Sequence, residues 1–111
     1  MIITKKWLQE KSACSSGVNW FIEKFKDDAD YQGVLDALAQ ENKADWAQWL
    51  INKAGAVDTK LEVDGDLISE KSIFFAGQII VKGKIGITFY LMAGSDIKAG
   101  SDIKAGWGIE A

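Results

Sequence analysis

LEVDGD LISEKS IFFAGQ IIVKGK IGITFY LMAGSD IKAGSD IKAGWG IEA, residues 61–111, reads as nine consecutive six-residue units, the last of them present as three residues. The first position of each unit is Leu61, Leu67, Ile73, Ile79, Ile85, Leu91, Ile97, Ile103 and Ile109, an aliphatic every time. The third position is Val63, Phe75, Val81, Ile87, Ala93, Ala99, Ala105 and Ala111, with Ser69 as the one polar member. Side chains alternate across a strand, so positions one and three share a face. Each unit is therefore a short strand with two inward residues and charged neighbours outside, as in Asp96-Ile97-Lys98-Ala99. Glycines at 65, 77, 83, 94, 100 and 106 are expected at the corners, where positive φ suits glycine.

A fixed short period is the mark of a solenoid, and six is a β-helix period. On these residues the stretch 61–111 resembles the parallel β-helices of hexapeptide-repeat proteins, and more loosely the bactofilin-like polymer-forming proteins. The resemblance implies three units per coil, roughly three coils in all, and stacking of residues 18 apart. It then predicts an Asp66–Lys84–Asp102 charge column, Phe89 stacked on Trp107, and bulky Phe75 above small Ala93. Lys71, Phe89 and Trp107 depart from the small fifth residue that hexapeptide proteins prefer.

Upstream, the pattern is helical. Thr4 is placed to cap a short helix through about Ser12 that turns Trp7 and Leu8 inward. Val18, Phe21, Ile22 and Phe25 fall on one stripe, as do Tyr31, Val34, Leu35 and Leu38. A fourth helix spans about Lys43 to Ala54, with Trp46, Ala47, Leu50 and Ile51 apolar and Gly55 as its C-cap. Asp27-Asp28-Ala29-Asp30 reads as a turn whose acids suit a helix start. The expectation is an α+β chain: a helical subdomain, residues 1–56, whose small bundle of about four helices caps the N-terminal end of a parallel β-helix, residues 57–111. Such a cap would cover a raw strand edge. At the other end, around Ile103, Trp107 and Ile109, the edge is expected to continue or to pair with another molecule, as in a homodimer.

Ala13-Cys14-Ser15-Ser16-Gly17-Val18-Asn19-Trp20-Phe21 resembles an A-C-x-x-G-x-x-W-F signature of small helical modules that open uncharacterised bacterial and phage proteins. Some of those continue into repeats of the present kind. The resemblance brings no catalytic chemistry with it.

Composition narrows the function classes. The 111 residues carry no His, and all 13 basic residues are Lys. Hexapeptide acyltransferases typically use a histidine base, which is missing. Without Arg there is no bidentate fork for phosphate or guanine, and the net charge of −3 gives no basic face, so direct nucleic-acid binding is not expected. The single Cys14, with no base beside it, is expected as a small buried hydrophobe rather than a nucleophile. Asp64-Gly65-Asp66 lacks calcium-loop spacing. No catalytic, cofactor or metal residues are assigned, and the chain is read as no enzyme. No run crosses a membrane and no signal-peptide core is visible, which points to the cytoplasm.

What remains is binding. The acids Asp58, Glu62, Asp64, Asp66 and Glu70 form a candidate face for a basic protein partner, with Trp20 and Trp49 as candidate exposed anchors. The phage-like resemblance and the acidic balance suggest an inhibitor of a bacterial defence complex of CRISPR type, whose basic grooves would attract such a face. The alternative is a structural module that dimerises or polymerises through Ile103, Trp107 and Ile109 at the open end of the β-helix.

Overall fold

The computed structural model describes all residues from Met1 to Ala111. The chain divides into two compact units, Met1–Val34 and Leu35–Ala111. The division falls inside the third helix, so the last helix groups with the strands that follow it.

In the first unit a strand feeds a helix twice without a loop. Strand β1 (Ile2–Thr4) leads into helix α1 (Lys5–Glu10), and β2 (Asp28–Asp30) leads into α3 (Tyr31–Gln40), with α2 (Ser15–Phe25) between them. Thr4 does both jobs because an N-cap residue has extended φ and ψ, here −127° and 162°. Its hydroxyl accepts from Trp7 N at 3.0 Å. At the second junction the Asp30 carboxylate accepts from Gly33 N at 3.3 Å, and Tyr31 N donates to the Met1 carbonyl. The stretch from Asp27 to Asp30 is therefore not a simple turn. Asp28–Asp30 pair antiparallel with Ile2–Thr4, opposing fully buried Ile3 to Ala29. The acids do suit a helix start, as expected, but only Asp30 makes that contact. Phe21 is buried in this unit and packs its ring 5.4 Å from Phe25.

Helix α3 ends at Gln40, and in the turn after it Asn42 has a φ of 54°, which that short polar side chain tolerates. Helix α4 (Ala44–Ala54) buries Ala47, Leu50 and Ile51 and stops at Gly55, φ 86°, whose N–H returns to the Ile51 carbonyl.

Nine strands follow: β3 (Lys60–Val63), β4 (Leu67–Ser69), β5 (Ile73–Phe75), β6 (Gln78–Val81), β7 (Ile85–Ile87), β8 (Tyr90–Ala93), β9 (Ile97–Ala99), β10 (Ile103–Ala105) and β11 (Gly108–Glu110). They form three parallel three-stranded sheets, ordered β3-β6-β9, β4-β7-β10 and β5-β8-β11. Every pairing joins residues 18 apart, as in Leu61 with Ile79 and Ile79 with Ile97. The result is a β-helix-like stack of three coils with three walls. The expected columns are present: Phe75 pairs with Ala93, and the Phe89 and Trp107 rings meet edge to face at 4.5 Å. In the Asp66–Lys84–Asp102 column the contact is with backbone rather than between charges: Asp66 Oδ1 accepts from Lys84 N at 2.9 Å. Ile79, Ile85 and Leu91 of the middle coil are essentially sealed from solvent. Burying each is worth about 1.5–3 kcal/mol.

Ser69, the polar exception inside, stays half-buried and turns its hydroxyl to the Lys71 backbone, accepting from N at 3.0 Å and donating to O at 2.9 Å.

Cover over the stack lies mainly on a wall rather than across the first coil. Phe74 and Met92 point outward from β5 and β8 yet are 1% and 3% exposed, while inward Leu61, Val63 and Leu67 of the first coil remain half-buried. Buried Ser72 fixes the connection between α3 and α4 to this wall: its hydroxyl donates to Asn42 Oδ1 at 2.7 Å and accepts from Tyr90 N at 3.2 Å. The chain then enters the stack from the side, where Val57 N donates to the Ala76 carbonyl. Within this unit the apolar outward surface that needs cover is the Phe74–Met92 wall.

The corner glycines are needed for a different reason from the one expected. None of them has positive φ; Gly55 alone does. A Cβ on Gly77, Gly94, Gly100 or Gly106 would run into a carbonyl oxygen of the preceding coil, those of Thr59, Ala76, Lys82 and Thr88 respectively. Gly65 lies in the first coil and a Cβ there would meet nothing within 4 Å. Gly100→Ala should therefore lower unfolding free energy by about 1–3 kcal/mol. Gly65→Ala should leave it within about 0.5 kcal/mol. Guanidinium denaturation midpoints of the two variants would separate steric need from a demand for positive φ, which would penalise both.

Tyr31 offers a second check. Its phenol is buried, and burial pushes its pKa up from 10.0 to about 12. The unfolded chain releases this proton near pH 10 and the folded chain only near pH 12. Its contribution is whole below pH 10 and is lost as pH rises to 12, on the order of 2–3 kcal/mol. Tyr31→Phe should show a shallower loss of unfolding free energy across that window than the parent chain.

Candidate interaction surfaces

The five candidate acids are not scattered. Glu62 projects from β3, Asp64 and Asp66 flank Gly65 at the corner after it, Glu70 lies in the corner after β4, and Asp58 precedes β3. All five are exposed and belong to the first coil and its approach, where Lys60 and Lys71 are the only cations. The second coil has no acid and carries Lys82 and Lys84; the third mixes Asp96, Asp102 and Glu110 with Lys98 and Lys104. Charge therefore alternates along the stack by coil. One ion pair bridges two coils, Lys82 Nζ to Asp64 Oδ1 at 3.4 Å, with side chains 75% and 96% exposed. Such a pair is worth well under about 1 kcal/mol and leaves the acidic character in place. No group of three or more His, Cys, Asp or Glu is placed to hold a metal ion.

Trp20 and Trp49 are half-buried rather than exposed. Trp20 sets its ring against Phe25, 6.1 Å away and edge to face. The two lie in different compact units, Trp20 in the first and Trp49 in the second. Their positions off the main helical stripes hid this, because aromatic side chains are long enough to fold back from a flank.

The third coil is where apolar surface is open. Trp107 is 60% exposed and Ile109 45%, while Ile103 is half-buried beneath Ile85. Trp107 is held by Phe89 and by the Tyr90 ring at 5.5 Å, which explains why bulky fifth residues cluster at this one corner. Ile68, at 62% exposure, was not singled out by the sequence reasoning. It lies over Gly86, whose missing side chain makes room for it. The signal was available, since Ile68 holds a second, outward position, the one that Glu62, Lys98, Lys104 and Glu110 fill with charge.

Cys14 is exposed, contrary to the expectation of a buried thiol. It is the N-cap of α2, and its sulfur accepts from Gly17 N at 3.4 Å. A Cβ at Gly17 would make only an ordinary contact with that sulfur, so the cap uses the Gly17 N–H and not its missing side chain. The Cys-x-x-Gly spacing is thus a capping device.

An open hollow of about 290 Å³ lies between Asn42, Lys43, Ala44, Asp45, Trp46 and Tyr90. Its polar groups are largely engaged with their surroundings: Asn42 accepts from Ser72, and Lys43 Nζ stands 4.5 Å from the Trp46 ring centre. No helix of the chain is long and apolar enough to cross a membrane.

Residues 1–56 match the family model described as the YdhT N-terminal domain. No curated protein and no solved structure matches the chain.

Proposed function

The chain belongs to the YdhT N-terminal domain family, and from that premise we propose that it is a non-enzymatic protein-binding module whose acidic first coil engages a basic partner surface. The observation that carries this reading is the gathering of Asp58, Glu62, Asp64, Asp66 and Glu70 on one coil, with all five exposed and the next coil carrying only lysines. A hydrogen-bonded coil holds these carboxylates at fixed spacing, so binding them orders little new chain. Like charges gathered on one edge also steer encounter with a basic partner. The partner class is a complex with a basic groove for nucleic acid, of which a CRISPR-type bacterial defence complex is the sharpest case, with this protein as a phage- or mobile-element-borne inhibitor.

A second reading, self-association through the coil ends, is favoured by a separate observation: apolar Trp107 and Ile109 stay open on the third coil.

The first reading is tested with a purified CRISPR-type effector and a labelled DNA target. Excess protein should displace the DNA, more weakly as salt rises. A variant combining Asp58→Asn, Glu62→Gln, Asp64→Asn and Glu70→Gln, with Asp66 kept because it bonds the Lys84 backbone, should be at least about tenfold less effective. DNA binding untouched by excess protein would overturn the reading.

A further inference from the structure

The first coil offers more than charge. In the second coil, Gln78 N donates back to the Thr59 carbonyl at 3.0 Å, and Ile79 N donates on to the Asp96 carbonyl at 2.9 Å. Successive residues of a parallel ladder thus bond opposite neighbours. Strand β3 follows the same alternation one coil earlier. The carbonyls of Thr59 and Val63 accept from the second coil, and Leu61 between them pairs with Ile79. The N–H and C=O of Lys60 and Glu62 therefore face the other way, where β3 has no neighbouring strand. Four backbone groups line up along this short edge.

The other two strands of the coil offer less. Strand β5 belongs to the covered wall of Phe74. Strand β4 has three residues, and its alternation turns only Ile68 toward the open side, because Leu67 N and the Ser69 carbonyl bond the second coil. Strand β3 has four residues, and both Lys60 and Glu62 are exposed.

An open strand edge is satisfied by an extended segment laid along it. Side-chain alternation then dictates the composition of that segment. Every second residue would lie beside half-buried Leu61 and Val63 and continue their columns, Leu61–Ile79–Ile97 and Val63–Val81–Ala99. Those positions call for aliphatic side chains. The residues between them would lie outside, beside Glu62, with Asp58 before the strand and Asp64 and Asp66 after it. Lys60 is the one cation on the strand, so the outer positions call for Lys or Arg.

We propose that the open edge of β3 binds an extended segment of a partner protein in which basic and aliphatic residues alternate. This rests on the acidic-coil reading above and deepens it, by giving the partner's conformation and sequence pattern. Backbone bonds hold the segment, and the acids select it.

The probe is a fluorescein-labelled octapeptide of alternating lysine and valine, titrated into the full chain and followed by anisotropy. Two further peptides carry N-methyl groups, one on every valine and the other on every lysine. Both keep the charge, and each loses the donors of one edge. One of them should bind at least about tenfold more weakly than the other, because only one edge of an added strand meets β3. At saturation the amides of Lys60 and Glu62 should exchange at least about tenfold more slowly, while Leu61 and Val63, already in the ladder, change little. Glu62→Pro removes an edge donor that the second coil does not use, and thermal melts show whether it folds. It should weaken binding more than Glu62→Gln, which removes the charge alone.

Equal binding of both methylated peptides, or no binding of the parent peptide, overturns strand addition. Protection of Lys60 and Glu62 that rises with the concentration of the chain alone gives the edge to a second copy and overturns it as well. The acidic-coil reading stands or falls separately, on the displacement of DNA from the effector.

Discussion

The close passage of one coil over the next governs this structure. Parallel strands in a ladder lie about 4.8 Å apart, and a residue and its partner 18 positions later must both fit that spacing at every corner and every wall. The corners meet it by giving up side chains: Gly94, Gly100 and Gly106 each pass a carbonyl oxygen of the coil before. The interior meets it by trading volume along a column, as where Phe75 pairs with Ala93 and Val81 with Ala99. One corner departs from the rule, and there Phe89 and Trp107 swing outward and pack on each other. Corner, wall and interior thus answer to one distance, which is why the repeat tolerates no miss at its first position.

The same constraint separates cover from charge. A wall whose outward residues are apolar has to be covered. Phe74 and Met92 make the β5–β8 wall such a surface, and the Ser72–Asn42 bond ties the connection between α3 and α4 to it. The other two walls carry Glu62, Lys98 and Lys104 outward and stay open. The chain's charged chemistry is displayed there and at the corners, on groups fixed by hydrogen-bonded backbone.

Much of this was legible in the residues. Two periodicities, six in residues 61–111 and 3.6 upstream, identify the strands and helices, and the 18-residue column follows once three units close a coil. Other features lay below what periodicity registers. Strands β1 and β2 are three residues each, too short for alternation to show, and Asp28-Ala29-Asp30 has the composition of a turn. Cys14 was read by its hydrophobic character, while its place three residues before Gly17 makes the sulfur a helix cap. The glycines were assigned to positive φ because that is their commonest use; neighbour distance across coils cannot be read from one strand alone. The covered wall did leave a mark, Phe74 and Met92 apolar at an outward position 18 apart. At the candidate surfaces the acids were legible as a group, but their confinement to one coil needed the register. The half-burial of Trp20 and Trp49 was hidden because a helical stripe describes where a side chain starts and not where its ring ends.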